Sequence, residues 1–130
     1  MKHEAISVEV NSISGLIIER AIQIHKSFGP GLLESVYKEC LFQELISAGL
    51  EVQKEKTIPV FWNELKLDHG FRVDLMVENK IILEIKSIEA LADIHSAQML
   101  TYLRLTNCRL GLLMNFNVTR LKDGIKRLVV

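Results

Sequence analysis

The chain has 130 residues, of which 48% are hydrophobic and 25% are charged, as in an ordinary soluble globular protein. This length predicts a single domain over residues 1–130, in which residues 1–11 form an N-terminal extension. Sixteen basic and sixteen acidic side chains balance, which excludes the strongly basic surface of many nucleic-acid-binding proteins. A polyanion would therefore be held by a local patch or through a metal ion.

No segment is typical of export or of membrane insertion. The N-terminus lacks a basic stretch followed by an apolar one, and no apolar run approaches the roughly 18 residues of a membrane span. Cys40 and Cys108 are isolated, without the spacing of a zinc site, and are expected to be reduced. These features predict a cytoplasmic protein that does not contact a membrane.

The first helix is predicted over residues 12–28, where apolar side chains recur at helical spacing. The sequence Gly29-Pro30-Gly31 ends it, because proline cannot continue a helix and glycine permits a sharp turn. His25 falls beside the apolar stripe of this helix. Since no partner accompanies it at ligand spacing, a structural role for His25 is favoured over a ligand role.

A second helix is predicted over residues 33–48, with Tyr37 in its buried stripe and Gly49 as its C-terminal stop. Glu34 lies in the first turn of this helix. In one interpretation, which helical spacing alone favours, it only complements the positive end of the helix dipole. In the other, it reaches towards the carboxylates of a later hairpin as a further metal ligand or an orienting group.

A strand is predicted over residues 51–62, where polar and apolar positions alternate, and Pro59 indicates a sheet edge or a bulge. The polar stretch 63–70 then turns the chain towards a hairpin. Asp68 and His69 lie in this stretch, where a turn role is favoured over a contribution to a site.

Residues 71–87 are rich in Val, Ile and Leu around the polar step Glu78-Asn79-Lys80. This pattern predicts two buried strands joined by a hairpin loop. Since side chains alternate between the faces of a strand, Glu84 and Lys86 share a face opposite to their apolar neighbours. A charged pair therefore lies in the middle of a strand that should be buried.

The register of this hairpin decides where Asp74 lies. A three-residue loop at 78–80 places Asp74 opposite Glu84 on the same face, whereas a two-residue loop places the two carboxylates on opposite faces. At cross-strand distance the carboxylates repel unless a cation or a shared proton compensates, which favours a divalent metal ion with Lys86 beside it. A purely structural ion pair between Glu84 and Lys86 is the alternative, and it leaves Asp74 unexplained.

A third helix is predicted over residues 94–106, with Asp93 as its N-cap. One face of this helix, expected to be buried, consists of Ile94, Gln98, Tyr102 and Leu105. In that position Gln98 needs hydrogen-bond partners. It either finds them within the core or points at the carboxylates of the preceding strand.

Residues 109–116 form a continuous apolar run that predicts a buried strand, and the tail is expected to add a short strand or helix at the sheet edge. The predicted order is helix, helix, three strands, helix and strand. This order indicates an α/β fold in which a mixed central sheet carries helices on both faces. A crossover helix joins the third and fourth strands.

The hairpin with Asp74, the triplet Glu84-Ile85-Lys86 and the helix and strand that follow resemble the core of the PD-(D/E)xK nuclease superfamily. Val73 stands where that motif has proline, a position that varies widely among its members. Gln98 and Tyr102 are similar to the Gln-x-x-x-Tyr motif of one branch of the superfamily. The resemblance implies a restriction-endonuclease-like core.

A second resemblance lies at residues 31–37, where GLLESVY is similar to the signature of the GxxExxY protein family. The surrounding sequence HKSFGPGLLESVYKECL and the segment NFNVTRLKDGIKR are also similar to members of that family. Together the resemblances cover about residues 12–128, almost the whole chain.

The resemblance implies a role for each matching residue. The ligands of Mg²⁺ or Mn²⁺ would be Asp74, Glu84, the main-chain carbonyl of Ile85 and Glu34. Lys86 would orient or activate the attacking water and stabilise charge on the phosphate. Gln98 and Tyr102 would support the site, as would Tyr37 of the GxxExxY signature.

The function expected of this site is metal-dependent hydrolysis of phosphodiester bonds in DNA or RNA. Neutral net charge indicates weak affinity for nucleic acid alone, so a homo-oligomer or a protein partner is expected to help deliver the substrate. The alternative is a non-catalytic protein of the same fold that binds nucleic acid or a protein partner. Intact carboxylates and lysine favour the enzyme.

Overall fold

The computed structural model describes residues 5–130, which form three α-helices, seven strands and one 3-10 helix. In chain order the elements are α1 (Val8–Phe28), α2 (Glu34–Ser47), β1 (Val52–Ile58), β2 (Phe61–Trp62), β3 (Leu65–Lys66), β4 (Phe71–Val77), β5 (Ile81–Lys86), α3 (Asp93–Thr106), β6 (Leu110–Asn115), the 3-10 helix (Leu121–Gly124) and β7 (Ile125–Val129).

Five strands form one mixed sheet in the order β1-β4-β5-β6-β7. Strands β5 and β6 are parallel, with α3 as the crossover between them, and the other neighbouring pairs are antiparallel. The tail supplies β7 at the sheet edge, as predicted. Strands β2 and β3 form a separate small hairpin between β1 and β4.

Helices cover both faces of this sheet, which confirms the predicted architecture. Helices α1 and α2 pack on one face against a set that includes Ile81, Leu83 and Ile85 of β5. Helix α3 packs on the other face through Met99 and Leu103, in a cluster that includes Ile82 of β5. Because alternate residues of β5 are buried on opposite faces, its sequence reads as an almost continuous apolar run.

Helix α1 begins earlier than predicted. Its N-cap is Ser7, whose hydroxyl accepts a hydrogen bond from the Val10 N–H at 3.1 Å. Residues 8–11, predicted to belong to an N-terminal extension, are therefore helical, and residues 1–4 of that extension lie outside the described residues. Across residues 5–130 no helix has both the length and the apolar character needed to cross a bilayer.

The strand predicted over residues 51–62 is divided into two elements. Strand β1 ends at Ile58, and Pro59, which has no N–H to donate to a ladder, separates it from β2. Gly70 closes the base of the small hairpin. A Cβ at Gly70 would collide with the carbonyl oxygen of Ile58, so only glycine allows this close return of the chain.

The predicted buried face of α3 is wrong. Ile94 is 70% exposed and Gln98 is also exposed, whereas Met99 and Leu103 are buried. The buried stripe is set by a close approach to β6, because Met99 fills the space that a side chain at Gly111 would need. The side-chain amide of Gln98 is therefore exposed and needs no hydrogen-bond partner in the core.

The cap of α3 also differs by one residue from the prediction. Ala92 is the N-cap residue, and Asp93 is the first helical residue. The N–H of Ala92 donates to Nδ1 of His95 at 2.9 Å. A histidine side chain therefore satisfies the main-chain donor at the start of this helix.

Candidate active site

The β4–β5 hairpin has the register that brings two carboxylates together. Val77 pairs with Ile81 across the three-residue loop 78–80. The same register sets Asp74 opposite Glu84. Of the two registers that the sequence left open, the structure therefore has the one with the three-residue loop.

Where this pairing ends, side-chain carboxylates accept hydrogen bonds that main-chain carbonyls would accept in a regular ladder. Oε2 of Glu84 accepts a hydrogen bond from the Asp74 N–H at 2.8 Å, and Oδ2 of Asp74 accepts one from the Ile85 N–H at 2.8 Å. The last main-chain pair before this point is Leu75 with Leu83. The carbonyl of Ile85 lies on the same side of β5 as its N–H, so it faces β4 beyond the last pair.

The neighbouring strand β1 is distorted at the same level. The residues on either side of Glu55 pair with those on either side of Asp74, so Glu55 lies opposite Asp74. Glu55 has a φ of 53°, in the left-handed region that glutamate rarely adopts. Glu55, Asp74 and Glu84 thus lie side by side on the neighbouring strands β1, β4 and β5. At Asp74, the main-chain pairing of β4 with both neighbouring strands is interrupted. Such local strain is typical of functional sites.

Lys38 of α2 places positive charge between two of these carboxylates. Its Nζ lies 3.3 Å from Oε1 of Glu55 and 3.8 Å from Oδ1 of Asp74, and its side chain is only 19% exposed. Lys38 directly follows the GLLESVY signature without being one of its named positions, and Glu55 belongs to no motif. The available signal for Lys38 is its position one helical turn after Glu34, because both side chains then lie on one side of α2.

Glu84 is a buried carboxyl with a strongly perturbed acidity. Burial is the main cause that raises its pKa from 4.5 to about 7, and the charge of Asp74 raises it further. The Asp74 N–H, Lys86 and Lys38 act in the opposite direction. The pair therefore carries negative charge that the surrounding protein compensates only in part.

Lys86 ends β5 with a half-buried side chain. Its ammonium group forms no salt bridge with any acidic residue of the described chain. Its charge nevertheless lowers the pKa of Glu84, so it lies within electrostatic reach of that carboxyl. The structure therefore does not contain the structural Glu84–Lys86 ion pair, and the lysine remains available to a ligand.

Glu34 connects the start of α2 to the residue that follows Lys86. Its Oε2 accepts a hydrogen bond from the Ser87 N–H at 3.2 Å, and the Ser87 hydroxyl donates to the Leu32 carbonyl at 2.7 Å. Glu34 thus lies beside the site but outside the Asp74–Glu84 pair. Within residues 5–130 no three His, Cys, Asp or Glu side chains are grouped to hold a metal ion. The ligand role of Glu34 stays a prediction.

Tyr37 holds the loop that precedes Glu34. Its fully buried ring stacks on Phe116, with the ring centroids 4.4 Å apart. Its hydroxyl donates to the Gly29 carbonyl at 2.6 Å and accepts from the Leu32 N–H at 3.1 Å. Gly31 has a φ of 101°, which glycine adopts without strain. The GLLESVY segment therefore builds a fixed loop that presents Glu34 to the end of β5.

Replacing Tyr37 with phenylalanine is expected to destabilise the protein by about 1–3 kcal/mol, because two main-chain groups lose their partner. Thermal or urea unfolding measures this change. The matched control is Tyr102→Phe, since the Tyr102 hydroxyl makes no hydrogen bond within residues 5–130. Equal destabilisation of the two variants would contradict the proposed role of the Tyr37 hydroxyl.

Tyr102 of α3 lies near the carboxylates, on the face of the sheet that α3 covers. Its ring stacks on Phe71 at 4.3 Å between centroids. Burial, followed by the charges of Glu84 and Asp74, raises the pKa of its hydroxyl. Gln98 lies one turn earlier on α3 and is exposed, with no side-chain hydrogen bond to any residue that the structure describes. Tyr102 thus lies within electrostatic reach of both carboxylates, and the role of Gln98 stays a prediction.

Asn115 is a further residue of the site that the sequence motifs do not indicate. It lies beside Lys86 in the β5–β6 register and is 2% exposed. Its Oδ1 accepts from the N–H groups of Ile88 and Asn117 at 3.1 Å each, and its Nδ2 donates to the Ile88 carbonyl at 3.0 Å. Asn115 therefore fixes the chain that leaves Lys86. The available signal was a lone amide at the end of an apolar run.

Other polar residues singled out in the sequence lie away from the site. Nε2 of His25 contacts the carbonyls of Phe116 and Val118 at 3.1 and 2.8 Å, in keeping with a structural role. Asp68 and His69 are exposed beside the small hairpin. The two cysteines are both free.

Comparison with known proteins identifies the family. The sequence model described as the PD-(D/E)XK nuclease superfamily matches residues 11–128, almost the whole chain. The chain belongs to the PD-(D/E)XK nuclease superfamily. A solved structure described as the crystal structure of SSO0001 has a TM-score of 0.46 and 18% sequence identity, over 90% of this chain and 77% of that chain. No curated protein matches the chain.

Nucleases of the PD-(D/E)XK superfamily generally use divalent metal ions, and the residues at this site fit such an ion. Asp74, Glu84 and the Ile85 carbonyl supply oxygen donors, which Mg²⁺ and Mn²⁺ prefer. Glu84 is 7% exposed and forms no salt bridge within residues 5–130, and the salt-bridge partner of Asp74 in that range is Lys38 at 3.8 Å, so the negative charge of the pair is compensated only in part. A divalent cation would complete that compensation.

Proposed function

We propose that this protein is a metal-dependent nuclease that hydrolyses phosphodiester bonds in DNA or RNA. The observation that carries the proposal is the hydrogen-bonded Asp74–Glu84 pair at the end of the β4–β5 ladder, in a chain of the PD-(D/E)XK superfamily. These two carboxylates and the Ile85 carbonyl would hold Mg²⁺ or Mn²⁺, and Glu34 would complete the donor set. A divalent ion in such a site lowers the pKa of bound water and neutralises charge on the phosphate.

Lys86 supplies a positive charge close to the carboxylates. It follows Glu84 by two residues and forms no salt bridge within the described chain. In phosphodiester hydrolysis, negative charge grows on the phosphoryl oxygens in the transition state, and a fixed ammonium group stabilises that charge. The ammonium also has three N–H donors, with which it orients the attacking water.

Lys38 has a different role from Lys86. Its Nζ contacts the carboxylates of both Asp74 and Glu55. It thereby restrains the position of the Asp74 carboxylate from the side of α2. Gln98 and Tyr102 would support the site from α3, which packs on the face of the sheet opposite to α1 and α2.

We also propose that residues 31–37 place the chain in the GxxExxY family within this superfamily. The support is that the glycine, the glutamate and the tyrosine of the signature all shape or contact the same loop beside the site. Gly31 makes the turn, Glu34 contacts the residue after Lys86, and Tyr37 holds the loop. The signature would therefore describe a scaffold for one edge of the active site.

The test is cleavage of labelled single-stranded and double-stranded DNA and RNA with Mn²⁺, with Mg²⁺ and with EDTA. The metal ions are expected to support cleavage and to raise the melting temperature of the wild-type protein, since a ligand of the native state stabilises it. Asp74→Asn should lose both effects. Glu19→Gln, an exposed position on α1, should keep both.

Two outcomes would contradict the proposal. Cleavage that survives EDTA and the Asp74→Asn change would come from a contaminating enzyme or from another site. A wild-type protein that neither binds metal nor cleaves any of the four substrates would instead favour a non-catalytic binding protein of the same fold.

A further inference from the structure

The small hairpin between β1 and β4 displays apolar side chains in solvent. Phe61 is 56% exposed, Trp62 is 71% exposed and Leu65 is 65% exposed. Trp62 pairs with Leu65 next to the tight turn at residues 63–64, and Phe61 pairs with Lys66. Cross-strand partners share a face, so one face carries Trp62 with Leu65 and the other carries Phe61 with Lys66.

This hairpin has a defined shape and a fixed base. The Leu67 N–H donates to the Val60 carbonyl at 2.9 Å, which extends the β2–β3 ladder by one hydrogen bond. Asn63 has a φ of 55°, as tight hairpin turns require. At the base, the close approach of Gly70 to the Ile58 carbonyl joins the hairpin to the end of β1. The exposed rings are therefore held by structure rather than by a loose loop.

The hairpin leaves the sheet at the end where the candidate active site lies. Strand β4 begins at Phe71, three residues before Asp74, a distance of about 10 Å along a strand. Antiparallel pairing places the start of β4 at the same end of the sheet as Lys86, which ends β5. Arg72, exposed between the hairpin and Asp74, adds a positive charge on this path.

We propose that this hairpin binds the unpaired bases of a single-stranded nucleic acid whose backbone enters the active site. The inference rests on the proposed nuclease function and names the substrate class of that site. Exposed aromatic rings stack on unpaired bases without regard to sequence, and neighbouring cations contact the phosphates. The hairpin offers the exposed rings of Trp62 and Phe61 for stacking, and Lys66 and Arg72 supply the neighbouring positive charges.

Stacking explains why the surface favours single strands. A duplex hides the faces of its bases within the helix and exposes them only at its ends, whereas a single strand exposes every base. Glu64 in the turn and Asp68 near the base offset the positive charge of the hairpin. Affinity at this surface would therefore come mainly from the rings.

The experiment uses Trp62, the single tryptophan of the chain, as its own reporter. The protein in EDTA, where metal-dependent cleavage is prevented, is titrated with a thymidine oligonucleotide of about ten nucleotides. We expect quenching of tryptophan emission that saturates with the single strand. A blunt duplex of the same length should produce little quenching at the same concentrations.

Variants separate stacking from other contacts, with binding measured by the anisotropy of a labelled oligonucleotide. Trp62→Ala is expected to weaken binding of the single strand by at least about fivefold, and Trp62→Tyr should retain most of the affinity. Ile46→Ala removes another exposed apolar side chain, 42% exposed on α2, and should have no effect. The substituted side chains are exposed, so the variants are expected to fold.

The outcomes are distinguishable from failure of the nuclease proposal. Single-strand binding that depends on Trp62 supports this inference even if no metal-dependent cleavage occurs. Absence of quenching, equal quenching by the duplex, or unchanged binding in Trp62→Ala overturns it. A blue-shifted emission that depends on protein concentration, together with a dimer that Trp62→Ala abolishes, overturns it in favour of self-association through the hairpin.

Discussion

Lys86→Ala is expected to lose cleavage activity while the protein remains folded and continues to bind metal. Removing one fixed group that stabilises transition-state charge lowers kcat by about 10²–10³-fold. Lys86 is half-buried and forms no salt bridge with another described residue, so its loss breaks no ion pair. The fold should therefore be little affected, in contrast to the reaction.

Three measurements on the same preparation check this prediction. They are the cleavage rate with saturating Mn²⁺, the metal-dependent rise in melting temperature, and the melting temperature in EDTA. Lys122→Ala, an exposed lysine of the 3-10 helix, is the matched control and should behave as wild type. Undiminished cleavage in Lys86→Ala would refute the catalytic role. Loss of metal binding in that variant would indicate that Lys86 acts on the ligands instead.

The sheet and the carboxylate pair followed from local features of the sequence. The polar loop 78–80 within an apolar run predicted both strands and reduced the register to two possibilities, of which the three-residue loop places Asp74 opposite Glu84. The alternation of side chains along β5 then places Glu84 and Lys86 on the face opposite to the one that α1 and α2 cover. Such patterns involve residues close in sequence, for which hydrophobic period and turn length decide the structure.

Other parts of the site depend on contacts between distant elements, which local patterns do not contain. The predicted buried face of α3 is wrong because the Met99 side chain packs directly against Gly111 of β6. The stripe with Ile94 and Gln98 therefore faces the solvent. Lys38 reaches Asp74 across 36 positions of sequence, and no motif joins them. These positions follow from how helices and strands pack.

The small hairpin shows a further limit of predicting structure from hydrophobic patterns. Residues 51–62 alternate like one long strand, but the continuation after Pro59 pairs only within its own hairpin. The exposed Phe61 and Trp62 then contribute to no core. Alternation indicates an extended chain without specifying the sheet in which it pairs.

Glu84→Gln is expected to stabilise the protein at alkaline pH by up to about 3 kcal/mol, the energy that corresponds to a pKa of about 7 against an ordinary 4.5. Because the folded-state pKa is raised, the contribution of Glu84 to stability is fully present below about pH 4.5 and is lost as the pH rises through about 7. Glutamine stays neutral throughout and retains an oxygen that accepts from the Asp74 N–H. The difference between the proteins should therefore be small at about pH 4 and largest above about pH 8.

Urea unfolding of both proteins across this pH range, in EDTA, measures the difference, and Glu89→Gln at an exposed position should show no such pH dependence. Divalent metal should reverse the order of stability at alkaline pH, because only wild type retains both carboxylates. Metal affinity of wild type should also rise with pH up to about 7, since the proton on Glu84 competes with the metal ion. A Glu84→Gln protein that is less stable than wild type in alkaline EDTA would show that ionised Glu84 stabilises the fold. In that case the Asp74–Glu84 pair would not need a cation to compensate its negative charge.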